Sequence, residues 1–181
     1  MKKRALLIID MQNDFYGENA PLQCEGATDT LPVINEALKN ARAKNVPIFH
    51  IYQEHRADMS DFGRELERSK PHCIAGTFGV QFVDGLDIAE GDYFILKKRF
   101  SSFFQTELDM MLRSLDATEL ILGGIATDGC VRATAVDAHS LGYFFKLLNG
   151  GTAGAIRESH EDSVKYLCRL QKDVMIDSED I

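Results

Sequence analysis

Apolar residues fall in short continuous runs along this chain, and stretches with helical spacing separate most of the runs. The runs that predict buried strands are residues 4–9, 47–52, 93–97, 119–125, 143–149 and 174–176. Helices are predicted over residues 30–44, 106–116, 129–141 and 158–170. Unbroken apolar strands that alternate with helices are typical of a parallel sheet covered on both sides. The pattern predicts an α/β fold: a doubly wound (Rossmann-like), mostly parallel six-stranded sheet with helices on both faces.

Residues 52–92 interrupt this alternation, because they are polar, densely charged and too long for a simple connection. A short helix is expected near residues 61–69. Connections of this length inside a compact domain are usually functional or disordered. We therefore predict that residues 52–92 cover an active site within a single domain, residues 1–181.

The net charge of −8 argues against nucleic acid or an anionic membrane as the main partner, and it leaves a small-molecule substrate open. The apolar stretch near the N-terminus is only ALLII, too short for a signal peptide, and no segment is long enough to span a bilayer. The four cysteines are widely scattered without a CxxC pair. These features predict a cytoplasmic protein with free thiols.

Three chemically active side chains stand at the ends of predicted strands or just beyond them. Asp10 follows ALLII, Lys97 closes YFILK, and Cys130 follows ELILGGI at the start of a helix. Unpaired N–H groups and the helix dipole at such a start favour a thiolate, which is the nucleophilic form of cysteine. Since ligands of these sheets bind beyond the carboxyl ends of the strands, the three residues suggest a cysteine hydrolase.

Three segments carry a family resemblance: IIDMQNDF, KKRFSSFFQTELDMML and GGIATDGCVRATAVDAHSLGY, in this order. Together they resemble the isochorismatase-like cysteine hydrolase superfamily over nearly the whole chain. That superfamily includes nicotinamidases, N-carbamoylsarcosine amidohydrolases, and biuret and ureidoacrylate hydrolases. The resemblance implies a small amide or ureido substrate, and it implies a homo-oligomer, because members are commonly oligomeric.

The resemblance also implies a catalytic triad of Asp10, Lys97 and Cys130. The spacing to the following aromatic and serine residues assigns the lysine role to Lys97 rather than to its neighbour. The family has a cis peptide shortly before the nucleophile, which here would join Ile125 to Ala126. The N–H groups of Ala126 and Cys130 are then expected to form an oxyanion hole.

Nicotinamidases of this family carry a metal site written Asp-x-His with a second histidine downstream. The matching residues here are His55 and His72, but Gln53 stands at the aspartate position. A neutral amide is a weaker ligand than a carboxylate, so we predict no cofactor. The alternative is a degenerate zinc or iron site at His55 and His72, which would need Glu65 or Glu67 as a third ligand.

The substrate is expected to contact a small set of side chains near the triad. The predicted substrate-binding residues are Phe15, Gln53, His55 and Ile125. At most one arginine is expected to hold a substrate carboxylate, and the candidates are Arg56, Arg64, Arg68 and Arg132. The other cysteines, Cys24, Cys73 and Cys168, are interpreted as structural thiols.

The sequence thus predicts a cysteine-dependent amidohydrolase that cleaves a C–N bond through a covalent acyl-enzyme. A metal-assisted nicotinamidase is the first alternative, and an isochorismatase-type vinyl-ether hydrolase is the second. A non-catalytic thiol-sensing protein is the third alternative.

Overall fold

The structure, a computed structural model, describes residues 2–181 and is built around one parallel sheet. The six strands are β1 (Arg4–Ile9), β2 (Ile48–Gln53), β3 (Tyr93–Lys97), β4 (Glu119–Ile125), β5 (Phe144–Ala153) and β6 (Met175–Ile176). They lie in the order β3-β2-β1-β4-β5-β6, and every neighbouring pair is parallel. The predicted fold class is confirmed, and the sheet is wholly rather than mostly parallel.

Four α-helices cover the sheet: α1 (Ala27–Ala43), α2 (Leu108–Ser114), α3 (Arg132–Ser140) and α4 (Arg157–Leu170). Alternate residues of β1 enter two separate cores, as the two-residue period of a strand requires. Leu7 packs in one core with residues of α2, α3 and α4. Leu6 packs in the other with residues of α1. The helices therefore lie on both faces, as predicted.

Several predicted boundaries move by a few residues, and β5 moves most. It continues through Gly150 to Ala153, beyond the predicted end at 149, because a register shift lets Thr152 pair with Gly124. Gly150 has φ +68°, a conformation that glycine adopts without a steric penalty. The two consecutive glycines therefore mark an irregularity inside the strand rather than its end.

The helix predicted over 129–141 is also different in the structure. A π-helical turn, Thr127–Val131, comes first, and α3 begins only at Arg132. Gly129, with φ −117° and ψ −106°, breaks the regular helix immediately before Cys130. The short helix expected near 61–69 is a 3₁₀ helix over Gly63–Glu67.

The strand order reverses between β1 and β4, since the chain builds outward from β1 on one side and then from β4 on the other. The segments that follow β1 and β4 diverge at this point and leave a crevice, which is where doubly wound sheets bind ligands. Asp10 follows β1 directly, and the π-helical turn with Cys130 follows β4. Within residues 2–181, no helix combines the length and hydropathy that a membrane crossing requires.

Candidate active site

The ends of three strands place the triad residues at one edge of the sheet. Asp10 has φ +52°, a left-handed conformation that aspartate tolerates better than most residues, and its N–H donates to Ile51 O at 2.8 Å. Gly124 lets β4 approach this point, because a Cβ there would lie 2.0 Å from Ile9 O. The backbone thus brings the ends of β1 and β4 close together, just before the segments that follow them diverge.

Asp10, Lys97 and Cys130 form a buried cluster. Lys97 Nζ lies 2.7 Å from Asp10 Oδ2 and donates to Cys130 Sγ at 3.2 Å. Asp10 and Lys97 are each 1% exposed, and Cys130 is 6% exposed. The predicted residues therefore meet around the lysine ammonium, with almost no water to screen their charges.

The charge state of the cluster follows from burial and from the mutual interaction of its members. Burial alone would lower the pKa of Lys97, but Asp10 and Cys130 outweigh this and hold that pKa above its ordinary value. Burial raises the pKa of Asp10, against the opposing attraction of Lys97. The lysine is therefore an ammonium at neutral pH, and the cluster needs one anion to balance it.

Burial also raises the pKa of the Cys130 thiol well above its ordinary value, and the neighbouring Asp10 charge raises it further. Lys97 opposes this shift without overcoming it. The expectation that the helix start would favour a resting thiolate is therefore wrong. Cys130 lies in the π-helical turn before α3 and is removed from water, so the thiol keeps its proton until a base takes it.

A cavity of about 280 Å³ opens onto this cluster. It is small for a ligand pocket, as pockets for drug-sized ligands range from about 300 to 1,000 Å³. Its lining residues are Asp10, Phe15, Leu22, Gln23, Cys24, Gln53, Glu65, Ser69, His72, Phe100, Ile125, Ala126, Gly129, Cys130 and Ala155. Most of these side chains are apolar or uncharged, so the cavity suits a small molecule with little charge.

Of the predicted substrate-binding residues, Phe15, Gln53 and Ile125 line the cavity, as does the expected oxyanion donor Ala126. His55 does not. Its ring is fully buried and stacks on Phe62, with ring centroids 3.7 Å apart. The sequence pattern identified His55 by its spacing, but only the packing of residues 54–72 shows which side of Gln53 it occupies.

None of the candidate arginines lines the cavity. Arg56 and Arg64 are on the surface, where they pair with Asp58 and Glu67 at 3.4 and 2.9 Å. Arg68 is exposed, and the Arg132 guanidinium lies over the Tyr166 ring at 4.1 Å. The carboxylate clamp that was considered from the sequence has no counterpart among the described residues.

Two residues of the 52–92 segment that were not predicted to bind substrate, Glu65 and Ser69, also line the cavity. The sequence had suggested Glu65 only as a possible metal ligand. Glu65 lies within the 3₁₀ helix Gly63–Glu67, and its Oε1 is 3.3 Å from His72 Nε2. The ligand atoms of His55, Glu65 and His72 lie within 4.8 Å of one another. Of the two glutamates considered as a third ligand for a zinc or iron site, Glu65 therefore lies beside the histidines and Glu67 does not.

The sequence profile of the Isochorismatase domain matches residues 4–179. The chain belongs to the isochorismatase family. It is 35% identical over 174 residues to a "probable inactive nicotinamidase" of Arabidopsis thaliana, covering 90% of this chain and 87% of that protein. It is 29% identical over 170 residues to a ureidoacrylate amidohydrolase of Agrobacterium fabrum, covering 82% and 75%.

Solved structures of the isochorismatase family have the same fold. An isochorismatase family protein from Desulfovibrio vulgaris superposes with a TM-score of 0.90 at 35% identity, covering 98% of this chain and 95% of that one. The pyrazinamidase of Pyrococcus horikoshii, in complex with zinc, superposes with a TM-score of 0.85 at 27% identity, covering 97% and 98%. The resemblance stated from the three sequence segments is confirmed, and some relatives in this family bind a metal.

The peptide bond between Ile125 and Ala126 is cis, as the resemblance implies. Ala126 and Cys130 both line the cavity, so their backbone lies beside any carbonyl group that reaches the thiol. The isochorismatase-family site therefore has a thiol and a carboxylate on the lining of one small cavity, and an ammonium in contact with both.

Proposed function

We propose that this protein is a cysteine-dependent amidohydrolase that cleaves a C–N bond of a small, uncharged amide or ureido compound. The observation that carries the proposal is the contact of Lys97 Nζ with both Asp10 and Cys130, which line the cavity. Relatives with this fold include proteins named ureidoacrylate amidohydrolase and N-carbamoylsarcosine amidase, which act on C–N bonds.

The buried cluster lets the Cys130 thiolate form at a small free-energy cost. In the resting state the anion is the Asp10 carboxylate, and Cys130 is a neutral thiol. Moving one proton from Cys130 to Asp10 makes the thiolate the anion, and Lys97 lies within 3.2 Å of either one. The net charge of the site does not change, so the transfer adds no uncompensated charge to a low-dielectric interior.

Asp10 acts first as a general base and accepts the thiol proton. The Cys130 thiolate attacks the substrate carbonyl carbon, and the N–H groups of Ala126 and Cys130 stabilise the resulting oxyanion. The C–N bond then breaks, and Asp10 returns the proton to the leaving nitrogen, which departs as ammonia or an amine. Asp10 takes a proton from water, and the resulting hydroxide attacks the thioester or thiocarbamate carbon and expels the Cys130 thiolate. Asp10 then returns the proton to Cys130, which restores the resting thiol and carboxylate.

The charges around the cavity favour an uncharged substrate. Its charged lining groups include the carboxylates of Asp10 and Glu65, and no lysine or arginine lines it. A substrate carboxylate would find no free cation to hold it, because no guanidinium lines the cavity and the Lys97 ammonium is already paired with Asp10 at 2.7 Å. The aromatic rings of Phe15 and Phe100 instead offer apolar area to a flat amide.

The test is ammonia release from matched substrates, with nicotinamide and biuret as uncharged compounds and N-carbamoylsarcosine and ureidoacrylate as carboxylates. A ureido acid and its own amide form the sharpest pair, since they differ in one charge. We expect turnover of uncharged compounds and much weaker turnover of their carboxylate partners. Faster turnover of the acids would contradict the substrate class but not the cysteine chemistry.

The Cys130→Ala variant tests the cysteine chemistry itself. We expect it to fold with unchanged thermal stability and to release no ammonia from any compound in the panel. The matched control is Cys168→Ala, because Cys168 is an exposed thiol that does not line the cavity. Substantial turnover by Cys130→Ala would rule out a covalent intermediate on this residue.

A further inference from the structure

The side-chain amide of Gln53 occupies the space between two buried histidines. Gln53 Nε2 lies 2.7 Å from His55 Nε2 and 3.2 Å from His72 Nε2. All three side chains are at most 1% exposed. The ligand atoms of His55, Glu65 and His72 lie within 4.8 Å of one another, so the amide stands where an ion bound to both histidines would lie.

Lys97 fixes which end of the amide faces the histidines. Its ammonium donates to Gln53 Oε1 at 3.3 Å and has no lone pair with which to accept a hydrogen bond. The amide oxygen must therefore face the lysine, and the NH₂ group faces the rings. The backbone of Gln53 is held as well, because its N–H donates to Gln12 Oε1 and its carbonyl accepts from Gln12 Nε2, both at 2.8 Å.

The partners of the other ring nitrogens indicate that the histidines can accept these hydrogen bonds. His55 Nδ1 lies 3.2 Å from Asp61 Oδ1, and His72 Nδ1 lies 2.8 Å from Lys70 O. Both partners are acceptors, so each Nδ1 carries a proton. In the neutral ring this leaves the Nε2 lone pair free, and at His55 that lone pair is directed at the Gln53 amide. At His72, Nε2 also lies 3.3 Å from Glu65 Oε1, which raises the pKa of this ring against the effect of burial, so Gln53 and Glu65 share that nitrogen.

A metal ion and an N–H donor compete for the same lone pair. Zinc bound by histidine lies about 2.0–2.1 Å from the ring nitrogen, along the axis that the amide N–H uses here. An amide nitrogen is not a metal ligand, and rotating the amide to present its oxygen would turn its NH₂ group toward the Lys97 ammonium. The residues present therefore do not fit a metal ion while Gln53 holds this position.

We propose that the carboxamide of Gln53 replaces the metal ion in this chain and joins Lys97 to the two histidines by hydrogen bonds. The identity of this one side chain decides between an amide-linked site and a metal site. An aspartate here is one methylene shorter, so it vacates the space between the rings and adds an anionic ligand to His55, Glu65 and His72. This inference concerns metal binding and does not depend on the substrate or on turnover.

The experiment measures zinc binding by calorimetry and Co²⁺ binding by absorption, with full-length wild type, Gln53→Asp and Gln53→Ala. We expect no saturable, His55-dependent binding in the wild type. Gln53→Asp should gain one saturable site, on the order of 100-fold tighter than any residual His55-dependent binding by the wild type, because a ligand is added and a competitor is removed. Gln53→Ala vacates the space without adding a ligand, so its zinc affinity should lie between those of the wild type and Gln53→Asp. This variant provides the test if Gln53→Asp folds poorly.

Free thiols also bind zinc, so the histidine site needs its own control. Adding His55→Ala to Gln53→Asp should abolish the gained site while leaving zinc bound by cysteines unchanged. Thiolate ligation of Co²⁺ also gives intense near-ultraviolet absorption, which the histidine–carboxylate site should lack.

Two results would overturn the proposal. One is a wild type that binds zinc within tenfold of Gln53→Asp and loses it on His55→Ala, because the amide would then yield to the ion. The other is that the folded Gln53 variants gain no site at all, because the amide would then not be what excludes the metal.

Discussion

Two groups of buried polar side chains share the carboxyl edge of the sheet, and they differ in charge. The first group is Asp10, Lys97 and Cys130, which holds an ion pair at 2.7 Å. The second is Gln53, His55 and His72, which is joined by hydrogen bonds of 2.7 and 3.2 Å through an amide. They meet at the 3.3 Å contact of Lys97 with Gln53.

The two groups are also held in different ways. The charged group is carried by residues at or directly after regular strands, whose backbone positions are fixed by the sheet. The histidines instead belong to the irregular segment after β2, where His55 N–H donates to Cys73 O at 2.8 Å. The comparison suggests that the strand ends carry the chemistry, whereas the irregular segment shapes and supports the cavity beside it.

The largest expected difference between the groups is in turnover. Asp10→Asn removes the group that delivers a proton to the leaving nitrogen and takes one from water, so it should lower kcat by about 10³-fold. Gln53→Ala removes one hydrogen bond to Lys97 and should lower kcat by no more than about tenfold. The measurement is ammonia release at saturating substrate, and equal losses in the two variants would show that the groups are not functionally separate.

The next difference is in stability. Lys97→Met leaves Asp10 as a buried carboxylate without its counter-ion and should lower the free energy of unfolding by about 3–5 kcal/mol at pH 7. The matched control is Lys98→Met, because Lys98 is 39% exposed and pairs with Asp61 at the surface. Its loss should cost less than about 1 kcal/mol. Urea unfolding measures both values.

The pH dependence of the Lys97→Met deficit has a definite sign. Burial raises the pKa of Asp10 above its ordinary value of 3.8. Below pH 3.8 the carboxyl is neutral in both the folded and unfolded chains, so the deficit should be small. It should grow as the pH rises through the folded-state pKa. A deficit that stays constant with pH would mean lost packing rather than an unpaired charge.

A smaller effect is expected for the residue that supports the neutral group. Gln12 is fully buried, and its amide bonds the N–H and carbonyl of Gln53 and also Val80 O. Gln12→Ala leaves these backbone groups without partners and should cost about 2 kcal/mol. Thermal unfolding checks the cost. No change would indicate that water or another side chain replaces the Gln12 amide.

The sequence predicted the charged group better than the neutral one. Asp10 and Lys97 could be placed because continuous apolar runs mark buried strands, and parallel strands end at one edge. Cys130 could be placed beside them in the same way, as it follows the run of β4. Its charge state could not, because burial of the thiol depends on packing from several parts of the chain.

The neutral group escaped prediction because it depends on an irregular segment. The sequence spacing singled out Gln53 and His55 as site residues. It could not show that Gln53 lines the cavity whereas His55 is buried away from it. The approach of Glu65 to His72 depends on a 3₁₀ turn with no apolar periodicity. The cover role of residues 52–92, the cytoplasmic location and the homo-oligomer remain predictions.

The most direct test of the account is the alkylation rate of Cys130 by iodoacetamide, followed by peptide mass spectrometry across pH in wild type and Asp10→Asn. Burial and the Asp10 charge raise the pKa of the thiol, whereas Lys97 lowers it. The wild-type rate should therefore be low at pH 7 and rise with pH. Removing the Asp10 charge should speed alkylation at pH 7 by about tenfold or more, although turnover is lost. An Asp10→Asn variant that alkylates no faster than the wild type would contradict a proton shared between Cys130 and Asp10 beside Lys97.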